Sequence, residues 1–96
     1  MLTKMRTIEI NGNNFSNLSE FYDEVERKMT SGLDWKIGRN LDAFNDILSG
    51  GFGVHEFGEN YQLTWTNADK SNSELMEFQI LIDIIKEYEN IKLKLN

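Results

Sequence analysis

Ninety-six residues and 11.2 kDa hold a single domain, expected to span 1–96, with no room for a second core. The chain has no cysteine, which excludes disulfides, thiol nucleophiles and cysteine-ligated zinc or iron–sulfur centres, and one histidine, His55, excludes a multi-histidine metal site; no metal or other cofactor is expected. Sixteen acids against ten bases give a net charge of −6, which speaks against direct nucleic-acid binding and for a basic partner. Apolar runs are too short to cross a membrane and no signal-peptide pattern opens the chain, so a cytoplasmic protein is expected.

Arg6-Thr7-Ile8-Glu9-Ile10 alternates and predicts a strand with Ile8 and Ile10 on one face. Asn11-Gly12-Asn13-Asn14 follows as a turn cluster whose glycine and asparagines tolerate positive φ. Leu18, Phe21, Tyr22, Val25 and Met29 then fall on one helical stripe, with Asn17 as cap, Glu20 as its capping-box partner, and Thr30-Ser31-Gly32 as the stop. Glu20, Asp23, Glu24 and Glu26 occupy the first half of that helix, where its dipole favours acids, and read as a solvated face. Leu33 to Gly38 is a loop carrying Trp35, which suits either a core lid or a binding anchor.

Leu41, Phe44 and Leu48 predict a second, shorter helix from about Asn40 to Ser49, broken by Gly50-Gly51-Phe52-Gly53. A loop to about Asn60 leads into Tyr61-Gln62-Leu63-Thr64-Trp65-Thr66, a strand with Trp65 assigned to the core. Asn67 to Asn72 reads as a polar loop. Ser73 would cap a third helix to about Glu89, and Ile91, Leu93 and Leu95 alternate in a last strand. That third helix carries Leu75, Phe78, Leu81, Ile82 and Ile85 on one stripe and Met76, Ile80 and Ile84 on another, so burial between two layers is expected, or else a dimer face. The order β-α-α-β-α-β implies a parallel sheet; its alternating strands imply helices mainly on one side of it.

Chemistry concentrates on the second helix. At about 100° per residue, Asp42 and Asp46 point away from the face set by Leu41, Phe44 and Leu48. Like charges four residues apart oppose helix formation, with Arg39 offsetting part of the effect. From spacing alone the pair fits a solvated face or, in principle, two catalytic carboxylates. A convex helix face lacks the water-excluding cleft that acid–base catalysis needs, so no catalytic residue is assigned and no enzyme is expected. Gly50-Gly51-Phe52-Gly53 follows a helix and lacks a Lys-Ser/Thr, so it is no phosphate loop, and His55 reads as a surface residue.

Gly38-Arg39-Asn40-Leu41-Asp42-Ala43-Phe44-Asn45-Asp46-Ile47-Leu48 resembles the barstar family, intracellular inhibitors of barnase-like ribonucleases. The matching signature is Gly38, Asn40, Leu41, Asp42 and Ala43, an aspartate one turn later at Asp46, and Leu48 before Gly50. Leu63 and Trp65, the opening strand with its Asn11-Gly12 turn and the order of elements are also similar. The resemblance implies an α/β fold with a three-stranded parallel sheet, and a protein that plugs the cationic active site of a nuclease. Asp46 would then stand in for an RNA phosphate among the enzyme's basic groups, and Asp42 would make the neighbouring salt bridge. Asn40, Gly38, Ser49 and Gly50 would supply polar and backbone contacts at the rim.

Lys36 and Ile37, with Trp35 beside them, stand where the family carries an aromatic pair, and Asn45 replaces a tryptophan. An acidic contact on the family's third helix has Asp83 as its counterpart. The implied partner is a basic extracellular or toxin-type ribonuclease, bound 1:1 by a monomer, as in ribonuclease-inhibitor or toxin-immunity pairs. The other role open to such a fold is an interaction module for a different, non-nuclease basic partner.

Overall fold

A computed structural model describes residues 5–30, 40–50 and 58–96. Three strands, β1 (Arg6–Asn11), β2 (Tyr61–Thr66) and β3 (Ile91–Leu95), form a parallel sheet in the order β1-β2-β3. Ile8 pairs with Leu63 and Leu63 with Leu93, while Ile10 pairs with Trp65, so apolar positions align in rows across the sheet. Helices α1 (Leu18–Met29) and α2 (Leu41–Ser49) lie between β1 and β2, and α3 (Ala68–Glu74) and α4 (Phe78–Lys86) between β2 and β3. Two crossovers of the usual right hand, stepping in the same direction, put their helices on the same face. The strands bury accordingly: Ile8, Ile10, Tyr61, Leu63, Trp65 and Ile91 face the helices. The other face carries Glu9, Gln62, Lys92 and Lys94.

The expected order is therefore present, with one division. The segment predicted as a single helix from Ser73 to Glu89 is two helices, and the predicted polar loop at 67–72 is mostly α3. Leu75 adopts an extended backbone (φ −108°, ψ 108°) and turns into the core, which ends α3 and restarts the chain as α4. Helix α3 is poor in helix formers and owes its form to tertiary contacts. Its Ser71 hydroxyl accepts the Trp65 indole N–H at 3.0 Å, and its Lys70 ammonium donates to the carbonyls of Gly12 (3.1 Å) and Phe15 (3.0 Å). The break also overturns the expectation of a helix buried between two layers. Met76 falls in the connection and is 95% exposed, and Ile80 is half exposed.

Gly12 is required for close approach rather than for positive φ. It begins a 3₁₀ turn, Gly12–Asn14, and a Cβ there would lie 2.5 Å from Ser71 Oγ and 2.6 Å from the Asn67 carbonyl oxygen. At the start of α1 the capping box takes a shifted form. Asn17 Oδ1 accepts the Glu20 amide at 2.9 Å, while the Glu20 carboxylate reaches back to the amide of Ser16 at 2.8 Å.

The acidic run on α1 is not wholly solvated, because Glu24 is fully buried. Its carboxylate accepts the Asn11 amide (2.9 Å), Asn14 Nδ2 (3.0 Å) and Arg27 Nη2 (2.7 Å), with Lys28 Nζ at 3.7 Å. The side chain thus ties α1 to the turn that follows β1. Burial pushes the Glu24 carboxyl up, but the hydrogen bonds from Asn11, Arg27 and Asn14 and the Lys28 charge outweigh it and hold the group below its ordinary value. A proton therefore binds the unfolded chain more readily than the folded one. The stabilisation is complete above the ordinary carboxylate range and is lost as pH falls through the lower folded value.

Two outcomes follow for denaturation experiments. Glu24→Gln destabilises the protein at neutral pH by about 1–3 kcal/mol and makes stability less sensitive to acid in that window, as urea midpoints measured from pH 7 downward will register. Gly12→Ala costs about 1–3 kcal/mol through overpacking against the β2–α3 connection, read from the same midpoints at pH 7.

Candidate partner-binding site

Helix α2 is bounded as its sequence suggests. The Asn40 side chain accepts the Ala43 amide at 2.8 Å, which makes it the N-cap, and Gly50 closes the helix at a φ of 101°, a backbone region favouring glycine. Phe44, Ile47 and Leu48 are buried, and Leu41 is half-buried against the core. Phe44 packs edge-on to Phe21 of α1 at 5.3 Å, so the inward face of α2 continues the aromatic core.

Asp42, Asn45, Asp46 and Ser49 recur at i, i+3, i+4 and i+7 and form the outward stripe; Ser49 is half-buried and the other three are exposed. Among the described residues neither aspartate has an ion-pair partner. Asp46 lies four residues from Asp42 and near the negative end of the helix dipole, so both neighbours oppose its charge. Asp42, in the first turn, is favoured by the same dipole, so the opposition falls on Asp46, and a carboxylate so placed, without an internal cation among those residues, is suited to an external one.

The last turn of α2 is tied from two directions. The buried Tyr61 hydroxyl, at the start of β2, donates to the Leu48 carbonyl at 3.1 Å. Tyr88, just past α4, donates to the Asn45 carbonyl at 2.9 Å and reaches the Asn45 side-chain oxygen as well, while Ser49 Oγ lies 3.2 Å from the same hydroxyl. Carbonyls in the last turn of a helix have no partner within it, and hydroxyl donors supply one for Leu48. Burial, with smaller electrostatic contributions from Tyr88 and Glu59, pushes the Tyr61 hydroxyl far above the ordinary tyrosine range, so it stays protonated and able to donate. Ser49 also lies 3.4 Å from the Asn45 carbonyl, and the Gly58 amide donates to the Ser49 carbonyl at 2.9 Å.

The structure thus brings Asp42, Asn45, Asp46 and Ser49 onto one stripe, with Asn40 and Gly50 at its two ends. Trp35, Lys36, Ile37 and Gly38 lie outside the described residues, as do Arg39, Phe52 and His55. Asp83 is exposed on α4, where it accepts Gln79 Nε2 at 2.8 Å. Tyr61 and Tyr88 escaped the sequence reading. A tyrosine at a core-facing strand position, where phenylalanine or leucine would fill the space, implies a partner for its hydroxyl, and that signal was available at Tyr61.

The model of the barstar (barnase inhibitor) family matches residues 5–94, nearly the whole chain. The chain belongs to the barstar family, an inhibitor family whose members bind barnase-like ribonucleases as protein partners. No curated protein matches the sequence.

Exposed and opposed by its surroundings, the Asp46 carboxylate contributes nothing favourable to folding. Asp46→Ala leaves the thermal midpoint unchanged or raises it, in step with relief of an i,i+4 repulsion of about 0.2–0.5 kcal/mol; a clear fall in the midpoint would assign the residue to the fold instead.

Proposed function

We propose that this chain inhibits a basic, barnase-like ribonuclease by laying α2 into the enzyme's cationic groove, with Asp46 in the phosphate-binding position and Asp42 beside it. The observation that carries the reading is the pair of exposed carboxylates on a capped and tethered helix, lacking ion-pair partners among the described residues. A ribonuclease groove gathers cations to hold phosphates, and a carboxylate on a rigid helix meets the same donors with charge-assisted hydrogen bonds. Asn40, Asn45 and Ser49 border the pair and make the surrounding polar contacts, with Gly50, buried, closing the helix behind them; the resemblance adds Trp35, Lys36, Ile37 and Gly38 as further contacts. The net charge of −6 steers a basic partner toward this face, an effect for which the barnase–barstar pair is itself a standard example. A monomer binding 1:1 in the cytoplasm, protecting the cell from a ribonuclease it makes or receives, is the setting that fits.

The test is an RNA-cleavage assay on a panel of barnase-like ribonucleases beginning with barnase, joined to a pull-down from the source cell. Wild-type protein should abolish cleavage by at least one enzyme, exclude nucleotide from its groove and bind more tightly at low salt, since exposed charges are screened over about 8 Å at physiological ionic strength. Asp46→Ala should weaken that complex by about 2 kcal/mol or more, the general scale of an interface hot spot, without a matching loss of stability. A captured nuclease that still cleaves RNA in the complex overturns the active-site plug. Capture of a non-nuclease basic protein overturns the ribonuclease reading in favour of an interaction module.

A further inference from the structure

We propose that Tyr88 is a positioning residue for the Asp42–Asp46 pair, assisted by Tyr61 from the sheet; the inference rests on the inhibitor reading above. Helix α2 has only nine residues, too few to be stable alone, so its orientation depends on what holds it. Its inward side is held by apolar contact through Phe44, Ile47 and Leu48, which sets depth but resists rotation weakly. Direction comes from the hydroxyls. Tyr61 reaches Leu48 on the buried side at 3.1 Å, and Tyr88 reaches Asn45 and Ser49, which share the outward stripe with the aspartates, at 2.9 Å and 3.2 Å.

The single Tyr88 hydroxyl proton lies within reach of both the carbonyl and the side-chain oxygen of Asn45, the residue immediately before Asp46, and either acceptor ties Tyr88 to that residue. Its ring belongs to the partly buried layer packed on the core, whereas its hydroxyl meets α2 at an exposed point. The hydroxyl therefore matters little to the core and directly to the bearing of the last turn. Charge-assisted bonds to a partner's cations need donor–acceptor distances of about 2.7–2.9 Å, so a small rotation of this turn moves Asp46 off its mark. The same donors lower the negative potential at the end of the helix, where Asp46 has to carry its charge. Tyr88 does not touch the partner in this scheme; it acts through Asp46.

The experiment is a double-mutant cycle of Tyr88→Phe and Asp46→Ala, read as the dissociation constant for barnase or for the panel ribonuclease that wild-type protein inhibits most tightly, with thermal midpoints recorded alongside. Tyr88→Phe keeps the ring and removes only the hydroxyl. It should weaken binding about three- to tenfold, the scale of one hydrogen bond, with little change in midpoint, and its effect should vanish in the Asp46→Ala background. Tyr61→Phe serves as the second variant and should show the same dependence on Asp46, with a larger loss of stability because its hydroxyl is buried. If Asp46→Ala weakens binding but Tyr88→Phe is neutral, or costs the same with and without Asp46, the positioning role is overturned and the inhibitor reading stands. If neither Asp42→Ala nor Asp46→Ala alters binding, the inhibitor reading falls and this inference falls with it.

Discussion

The indole of Trp65, near the C-terminal end of the middle strand, carries Phe21 stacked on it at 5.4 Å and Phe15 and Phe78 set edge-on at 5.8 and 5.1 Å. Those rings come from the turn after β1, from α1 and from α4, so segments before and after the strand in sequence converge on one side chain. Phe44 of α2 joins through Phe21. Each such aromatic pair adds about 0.5–1.5 kcal/mol beyond the burial of its area. Among the described residues the helices cover one face of the three-stranded sheet, and this cluster is what all of those helices except α3 share. Helix α3 is brought in by the indole N–H itself, through Ser71.

Polar tethers complete what the apolar cluster begins. Glu24 binds α1 to the end of β1 with a buried carboxylate, Lys70 binds α3 to the carbonyls of the 3₁₀ turn, and the two tyrosine hydroxyls bind the end of α2. Breaking such a buried charge leaves it uncompensated, which is why a group of little net worth as a pair is costly to remove singly. Rigidity acquired in this way is useful to an inhibitor. Under the proposed function, a surface already held in its binding geometry would lose little conformational entropy on association, and a partner's cations would relieve the repulsion between Asp42 and Asp46.

The backbone elements were largely legible in the sequence where local pattern and tertiary demand agree. Tyr61–Thr66 and Ile91–Leu95 alternate as strands and are strands; Leu18–Met29 has a stripe, a cap and a stop and is a helix. The disagreement at 67–76 has a specific cause. Asn, Asp and Ser prefer loops when solvated, yet Ser71 and Lys70 gain partners from the strand and turn across from them, and those bonds impose a helix that propensity would not. Leu75, read as one member of a continuous stripe, is buried by breaking that stripe, which sends Met76 into solvent.

The sequence by itself determined the parallel α/β order, the side of α2 that faces the core and the outward direction of Asp42 and Asp46, because helical and strand periodicities are local and the burial of apolar groups enforces them. It also carried the Gly38–Leu48 pattern by which the family is recognised. Only the tertiary structure decided that Glu24 is a buried clamp rather than one more surface acid, that Gly12 is needed for the space beside Ser71, and that Tyr61 and Tyr88 aim at the end of α2. Each of those depends on groups separated by thirteen residues or more, or on a burial that the residue's own type disfavours. Periodicity carries no information about which distant donor meets which acceptor, and that pairing follows from the packed chain alone.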